Sequence, residues 1–292
     1  MVNVLLIACL ILISTLQSLF CRVWSGCYPG EEGMASPVFS IVSGVTVSLA
    51  ALALSGFSLA LSWQTVLLGC LNAAVLLGYN LCMVRASQTG PYSVQMTFML
   101  SGGILLPAFV SLGFGDRFSW VKWCAIAVIV LSIWLVSRKE GDRRITHRAF
   151  FPLCIGLFLT NGAYGALFDV QQRLTGEGEK ETMIVLTYGV MAAVSFATSL
   201  AKRRGRLLGD LRQTKRSLLF LILSSAVVAV AINLMVLILP LVDTTLLYTF
   251  DNAGVLLFSV LASCVLFRER LSALNLVGCG TLCAGLILMS LF

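Results

Sequence analysis

Ten long apolar runs divide this 292-residue sequence, and they constrain its fold more than any other feature. They lie at roughly 2–20, 36–56, 61–84, 91–113, 119–137, 149–170, 182–200, 217–240, 243–266 and 271–291. Most are close to the ~20 residues with which a helix crosses a ~30 Å hydrocarbon core. Only 11% of the residues are charged, against about 25% in soluble domains. The sequence therefore predicts an all-α membrane protein of ten transmembrane helices.

The two halves of the sequence repeat each other at an offset of 153 residues. The matching residues lie between the fourth and fifth helix of each half: Phe114, Asp116, Arg117, Phe118 and Ser119 fall on Phe267, Glu269, Arg270, Leu271 and Ser272. Asn80 in helix 3 likewise falls on Asn233 in helix 8. A repeat with an odd number of helices enters the membrane inverted the second time. The pattern predicts a five-helix repeat at 1–137, a basic connector at 138–148 and an inverted five-helix repeat at 149–292.

Several classes of function are disfavoured by what the spans contain. The one histidine, His147, lies in a charged loop, so metal or triad chemistry has no histidine inside the membrane. No nucleotide-binding GxxxxGK[ST] motif is present. Most of the ten cysteines lie in apolar runs as free thiols, although Cys21 and Cys27 could pair in an oxidising compartment. We expect no enzyme, no metal, no cofactor and no nucleic-acid partner, since the net charge of +7 is spread over membrane loops.

The end of the sequence carries a family resemblance. Phe267-Arg-Glu-Arg-Leu-Ser272 is followed by Leu276-Val-Gly-Cys-Gly280 and Ala284-Gly285 before the last apolar residues. This resembles the end of an EamA-type domain of the drug/metabolite transporter superfamily, and Gly115-Asp-Arg-Phe-Ser119 is a weaker first-half copy. The resemblance covers the whole chain as a five-plus-five layout. It implies that helices 1, 3, 4, 6, 8 and 9 line a central cavity and that helices 5 and 10 pack peripherally.

Asp251 is the most informative charged residue inside a span, because an aspartate at a helix centre costs roughly 2.5–3.5 kcal/mol on insertion scales. Tyr248, Asp251, Asn252 and Val255 share one face of helix 9 by their spacing. Its carboxyl could carry a coupling proton or pair with a cationic substrate. It could equally be a structural group that bonds a neighbouring helix.

Other polar side chains follow the helices that the resemblance places around the cavity. We predict substrate binding by Asp251, Asn252, Tyr248, Asn80, Asn233, Tyr79, Asn161, Tyr164 and Gln95. Asp169, nearer the membrane surface, is a second candidate for proton coupling. The alternative is that such groups only join helices, at about 0.6 kcal/mol each.

The loops carry a clear charge asymmetry, with 16 of the 20 Lys and Arg on the side opposite to the chain termini. The positive-inside rule then places both termini outside, whereas the resemblance implies cytoplasmic termini. We expect a multi-pass protein of the cell membrane, with the bilayer and a small-molecule substrate as its partners. A small-residue ridge, Gly280-x-x-x-Ala284, predicts a homodimer surface involving helices 5 and 10.

The function predicted from these features is secondary transport. The substrate would be a small organic metabolite or drug, cationic or amino-acid-like, moved by alternating access and coupled to protons. Two alternatives stay open at this point. One is an uncoupled facilitator or exchanger, and the other is a membrane scaffold that transports nothing.

Overall fold

The computed structural model describes residues 2–115, 118–137, 149–203, 215–238, 241, 244–269 and 271–291. In these residues the chain forms ten α-helices and no β-strand, so the all-α prediction is confirmed. The helices are α1 (Val2–Cys27), α2 (Glu32–Leu54), α3 (Trp63–Thr89), α4 (Tyr92–Gly113), α5 (Trp120–Ser137), α6 (Phe150–Thr175), α7 (Lys180–Arg203), α8 (Lys215–Ile238), α9 (Thr244–Val265) and α10 (Ala273–Leu291). The connector predicted at 138–148 lies outside the described residues.

Seven of these helices, α1 to α4 and α6 to α8, are long and apolar enough to cross a membrane within the described residues. The apolar parts of the other three are shorter, at Trp120–Val136, Phe250–Val265 and Ala273–Met289. The chain thus has the make-up of a multi-pass integral membrane protein.

The helix ends follow from local sequence. Ser62 precedes α3, and its hydroxyl accepts a hydrogen bond from the backbone N–H of Thr65, as an N-cap does. Pro91 precedes α4, where its missing N–H and fixed φ suit a helix start. Gly176 ends α6 at φ 72°, a left-handed conformation that side chains other than glycine rarely adopt.

Two sides of the bundle can be defined from the directions of the helices. Side A is the side on which α1 begins, and side B is the side on which it ends. On side A, Ser62 before α3 bonds to Glu179 before α7. On side B, Arg22 near the end of α1 pairs with Glu269, which follows α9. Both described ends of the chain, at Val2 and Leu291, therefore lie on side A.

The helices pack in a defined set of pairs. The most extensive pairs are α4 with α6, α5 with α10, α2 with α7, α1 with α8, and α3 with α6. Next come α3 with α7, α2 with α8, α1 with α9, α9 with α10, and α4 with α9. The centre of the bundle is therefore built from α1, α3, α4, α6, α8 and α9, with α2 and α7 beside them.

Helices α5 and α10 pack on each other at the edge of the bundle. Glycines make this possible, since a Cβ on Gly278 would meet Val136 and a Cβ on Gly285 would meet Ile129. The ridge formed by Gly280 and Ala284 faces away and is exposed. Its use in a homodimer stays a prediction.

Candidate functional site

A cavity of about 260 Å³ lies between seven helices, α1, α3, α4 and α6 to α9. It extends from the middle of the bundle toward side A, because Gln172 near the end of α6, Lys180 at the start of α7 and Met235 near the end of α8 all line it. Its polar lining side chains are Ser14, Gln17, Ser18, Tyr79, Asn161, Tyr164, Gln172, Lys180, Tyr188, Asp251 and Asn252. The six helices named by the resemblance are all represented, and α7 is an addition.

Asp251 contributes a carboxyl group to this cavity. Ser14 on α1 lines the same cavity. The Oδ1 atom of Asp251 is buried and has no hydrogen-bond partner among the described residues. A buried carboxylate oxygen without a partner is costly, so this atom is suited to a cationic group or a proton that enters the cavity.

Aromatic side chains form one wall of the cavity. The Tyr164 and Tyr188 hydroxyls lie 3.4 Å apart, and the Tyr164 ring meets Phe168 edge to face with centroids 5.1 Å apart. The Tyr79 hydroxyl donates to Met99 Sδ at 3.2 Å. Such a wall offers π faces to a cation or to an aromatic group.

Two asparagine amides lie beside α4 at the position of Gly103. A Cβ on this glycine would approach the amide nitrogen of Asn161 to 2.6 Å and Oδ1 of Asn252 to 3.9 Å. Asn161 Nδ2 donates to the backbone carbonyl of Met99 at 2.8 Å. Asp251, Asn252, Tyr79, Asn161 and Tyr164 are therefore brought together by the fold as cavity-lining residues.

Asn80, Asn233 and Gln95 lie elsewhere. Asn80 lines a small adjoining cavity of about 30 Å³ and donates to Ser40 Oγ at 3.0 Å. Asn233 donates to Ala229 of its own helix at 2.7 Å. Gln95 is fully buried, and its bonds to Ser87 and Met83 join α4 to α3. The structure does not bring Asn233 or Gln95 to the central cavity.

Asp169 is partly exposed and pairs with Arg173 on its own helix at 2.9 Å. It does not line the central cavity, and its role in proton coupling stays a prediction. The side chain of Tyr248 lies outside the described residues, so its predicted place beside Asp251 is untested.

Several lining residues were not predicted. Ser14, Gln17 and Ser18 lie on one face of α1 at i, i+3 and i+4, and the polar Gln17 inside an apolar run was a signal for that face. Lys180 is buried and lines the cavity, although it belongs to a charged stretch that resembles a loop in the sequence. Tyr188 lies in an apolar run without another polar signal.

The bundle is closed at side B, beyond Ser18. Trp24, Tyr92 and Phe150 are completely buried there. Arg22 Nη2 lies 2.9 Å from Glu269 Oε1, and both side chains are largely shielded from solvent. The described residues at this end are therefore tightly packed.

At side A, the loop before α7 carries a different carboxylate. Glu179 accepts hydrogen bonds from the Ser62 hydroxyl at 2.6 Å and the Ser62 N–H at 3.3 Å. The bond from the Ser62 side chain, followed by that of Thr65, holds the pKa of Glu179 below its usual value. This contact joins α3 to α7 near the solvent.

Comparisons with known proteins identify a similar fold but no family. Neither a protein-family model nor a curated protein matches the chain. Twenty-six chains of solved structures match it. One crystal structure of a protein is similar over 99% of this chain and 97% of the other, with a TM-score of 0.63 and 15% sequence identity. At that identity the likeness shows that the whole chain shares a known fold.

Proposed function

We propose that this chain is a secondary transporter of a small organic solute with a cationic group. The observation that carries the proposal is the cavity at the centre of the bundle, with the unpartnered buried oxygen of Asp251 in its wall. Ionisable residues inside membrane bundles commonly mark a substrate or ion pathway. A scaffold would have no evident use for this costly group.

The proposal includes two inverted five-helix halves, as in the drug/metabolite transporter superfamily. The helix pairs support it, because exchanging α1–α5 with α6–α10 reproduces the main packing pattern. Thus α1 packs on α8 as α6 packs on α3, and α2 packs on α8 as α7 packs on α3. In the same way, α4 packs on α6 as α9 packs on α1. The exchange leaves three pairs unchanged, α2–α7, α4–α9 and α5–α10.

Close contacts at equivalent positions support the same arrangement. A Cβ on Gly102 of α4 would collide with the backbone of Phe158 in α6. A Cβ on Gly254 of α9 would meet Ile11 of α1 at 2.7 Å. The two glycines are almost one repeat length apart, so a small residue serves the same helix contact in each half.

Alternating access is favoured over a channel because the two ends of the bundle differ. The cavity reaches toward side A, whereas the end of the bundle at side B is packed. A channel would need a continuous polar path through both ends. We therefore propose that the two halves rock about a site near the membrane midplane.

The cavity also limits the substrate. Its volume of about 260 Å³ is below the ~300–1,000 Å³ of drug-sized pockets, so the solute is small. An ammonium group would pair with Asp251 and contact the tyrosine wall. Lys180 lies at the side-A end of the same cavity, so an amino-acid-like solute would also find a cationic partner for its carboxylate.

The coupling and the location are part of the proposal. Asp251 would bind a proton while the transporter moves in one direction and would pair with the solute while it moves in the other. This alternation is proton-coupled transport across the cell membrane. The loop charges predict that side B is cytoplasmic, so the cavity would open outward. The second candidate is an uncoupled exchanger, in which Asp251 only binds the solute.

Uptake and counterflow in proteoliposomes test the function. The panel comprises amino acids, simple amines, quaternary ammonium compounds, nucleosides and sugars, each with and without an imposed proton gradient. We expect saturable transport of an amine-containing class, and the Asp251→Asn variant should lose at least about 100-fold in affinity, as when one partner of a buried charge pair is removed. Asp169→Asn is the matched control for solute affinity, which should stay unchanged because Asp169 does not line the cavity. Its response to the proton gradient tests the predicted role of Asp169 in coupling.

Full proton-coupled transport by Asp251→Asn would refute the role of this carboxyl. Normal solute transport without any response to the proton gradient would favour the exchanger. Absence of both transport and ligand-induced thermal stabilisation across the panel would favour the scaffold.

A further inference from the structure

We propose that Arg22, Glu269 and the first backbone amides of α4 form a gate that closes side B of the cavity. This inference rests on the proposed transport function, because a gate is meaningful only where a solute passes. It adds two gating residues that the sequence pattern did not identify as functional. The contacts that form the gate are present in the structure, and they can be tested without a solute.

The carboxylate of Glu269 is the centre of the gate. It accepts a hydrogen bond from Tyr92 N at 2.8 Å, makes a further bond with Ser263 Oγ, and pairs with Arg22 Nη2 at 2.9 Å. The amide of Ser93 points at the same carboxylate from 3.5 Å. The first N–H groups of α4 have no partner inside that helix, so a carboxylate at this place satisfies them and complements the helix dipole.

Arg22 extends the gate across helices. It donates to the carbonyl of Gly90 at 3.2 Å, and its guanidinium lies 4.7 Å from the ring centre of Phe267 and 5.3 Å from that of Tyr92. One side chain of α1 thereby holds both the start of α4 and the segment after α9. These contacts close the gap through which a solute would leave toward side B.

The gate reaches the cavity directly. The Tyr92 hydroxyl bonds to Ser18 and lies 3.4 Å from Ser259 Oγ. Ser18 lines the cavity, and Tyr92 is fully buried. Tyr92 is therefore the layer between the solute site and the ion pair, and a change at Ser18 can be transmitted to the gate.

The opposite end carries a related arginine. Arg173 near the end of α6 lies 5.0 Å from the ring centre of Phe114, as Arg22 near the end of α1 lies over Phe267. The two phenylalanines are one repeat length apart. Arg173 also pairs with Asp169 one turn away on its own helix.

The buried pair of Arg22 and Glu269 gives the gate its mechanism. Opening side B separates Arg22 from Glu269, and water must then replace the bonds that the carboxylate receives. Opening is therefore disfavoured until something compensates for the loss. Closing of side A around a solute is the compensation that alternating access provides.

Cysteine labelling tests the gate in the full chain without any solute. Gln17 lines both the central and the small cavity, so Gln17→Cys in a background without the ten native cysteines reports access to the site. A membrane-impermeant maleimide is applied to vesicles of either orientation. Native Cys27 at the side-B end of α1, kept alone in a second background, identifies side B.

The unaltered gate should give Gln17→Cys labelling from side A and slow labelling from side B. Glu269→Gln and, separately, Arg22→Gln should raise the side-B rate by about tenfold or more, since hydrogen bonds to charged groups contribute ~1.5–3 kcal/mol. Arg22→Lys should restore part of the closure. Arg173→Gln is the matched control and should leave the side-B rate unchanged.

Two results would overturn the gate. One is side-B labelling of the unaltered gate as fast as side-A labelling. The other is unchanged side-B labelling in both Glu269→Gln and Arg22→Gln, or, if either variant is poorly folded, in the folded one. A protein that transports no solute can still show the gate, so this result is distinguishable from failure of the proposed function.

Discussion

The two ends of the bundle differ in how they use a carboxylate. At side B, Glu269 is buried, joins α1 to α4 and pairs with Arg22, whose guanidinium lies over the Tyr92 and Phe267 rings. At side A, Glu179 accepts its bonds from Ser62 near solvent, and the central cavity reaches that side. Similar acids thus serve a closed end and an open one. The difference lies in burial and in which helices are joined.

A similar contrast holds for two ion pairs. The pair of Arg22 and Glu269 spans 247 residues of sequence, whereas the pair of Arg173 and Asp169 is an i, i+4 pair with side chains about one third exposed. A buried pair is costly to break by removal of one partner, but an exposed pair contributes little.

The largest expected effect compares these two ion pairs. Arg22→Gln leaves Glu269 buried without its cation and should lower the free energy of unfolding by about 3–5 kcal/mol. Asp169→Asn breaks only the exposed pair and should change the free energy of unfolding by less than about 1 kcal/mol. Denaturant unfolding of the purified protein in detergent measures both, and equal losses would break the comparison.

A smaller effect is expected inside the open end. Lys180→Gln removes the cation at the side-A end of the cavity. Affinity for solutes with both an amine and a carboxylate should fall about tenfold, in line with ~1.5 kcal/mol for a hydrogen bond to a charged group. Affinity for amines without a carboxylate should stay the same. Competition for uptake between matched pairs, such as an amino acid and its decarboxylated amine, measures this, and equal losses for both would contradict the assignment.

The smallest effect concerns the exposed contact at side A. Because the folded state lowers the pKa of Glu179, this contact stabilises the fold above the usual glutamate pKa, and the contribution is lost as the pH falls through the lowered value. Ser62→Ala should remove part of that pH dependence. The measurement is the thermal unfolding temperature of the native protein and of Ser62→Ala between about pH 3 and about pH 7, the region around the reference glutamate pKa. A steeper dependence in Ser62→Ala would have the wrong sign.

The sequence predicted the helices well because hydrophobicity is a local property. Each of the ten apolar runs overlaps one helix of the structure. Asp251 was also identifiable, since a carboxyl in an apolar run has few structural explanations. Its exposure to the cavity then depended only on which face of α9 turns inward.

The rest of the site depends on packing that one sequence does not encode locally. The repeat treats Asn80 and Asn233 as equals, yet one lines a cavity and the other bonds its own helix. A sequence repeat cannot show which of two matched residues turns toward a cavity. Gln95 was expected in the site, but neighbouring Ser87 and Met83 satisfy its amide. Lys180 was missed because the first residue of a helix resembles the loop before it.

Spin-label distances at both ends test the central claim that the two sides open in alternation. One pair joins Gly26 of α1 to Val265 of α9 at side B, and the other joins Phe109 of α4 to Leu174 of α6 at side A. Each pair links the two halves, and all four positions are exposed. Comparing the otherwise native protein with Glu269→Gln, we predict that the side-B distance lengthens while the side-A distance shortens. Alternating access would be contradicted if the side-B distance lengthened while the side-A distance stayed the same or also lengthened.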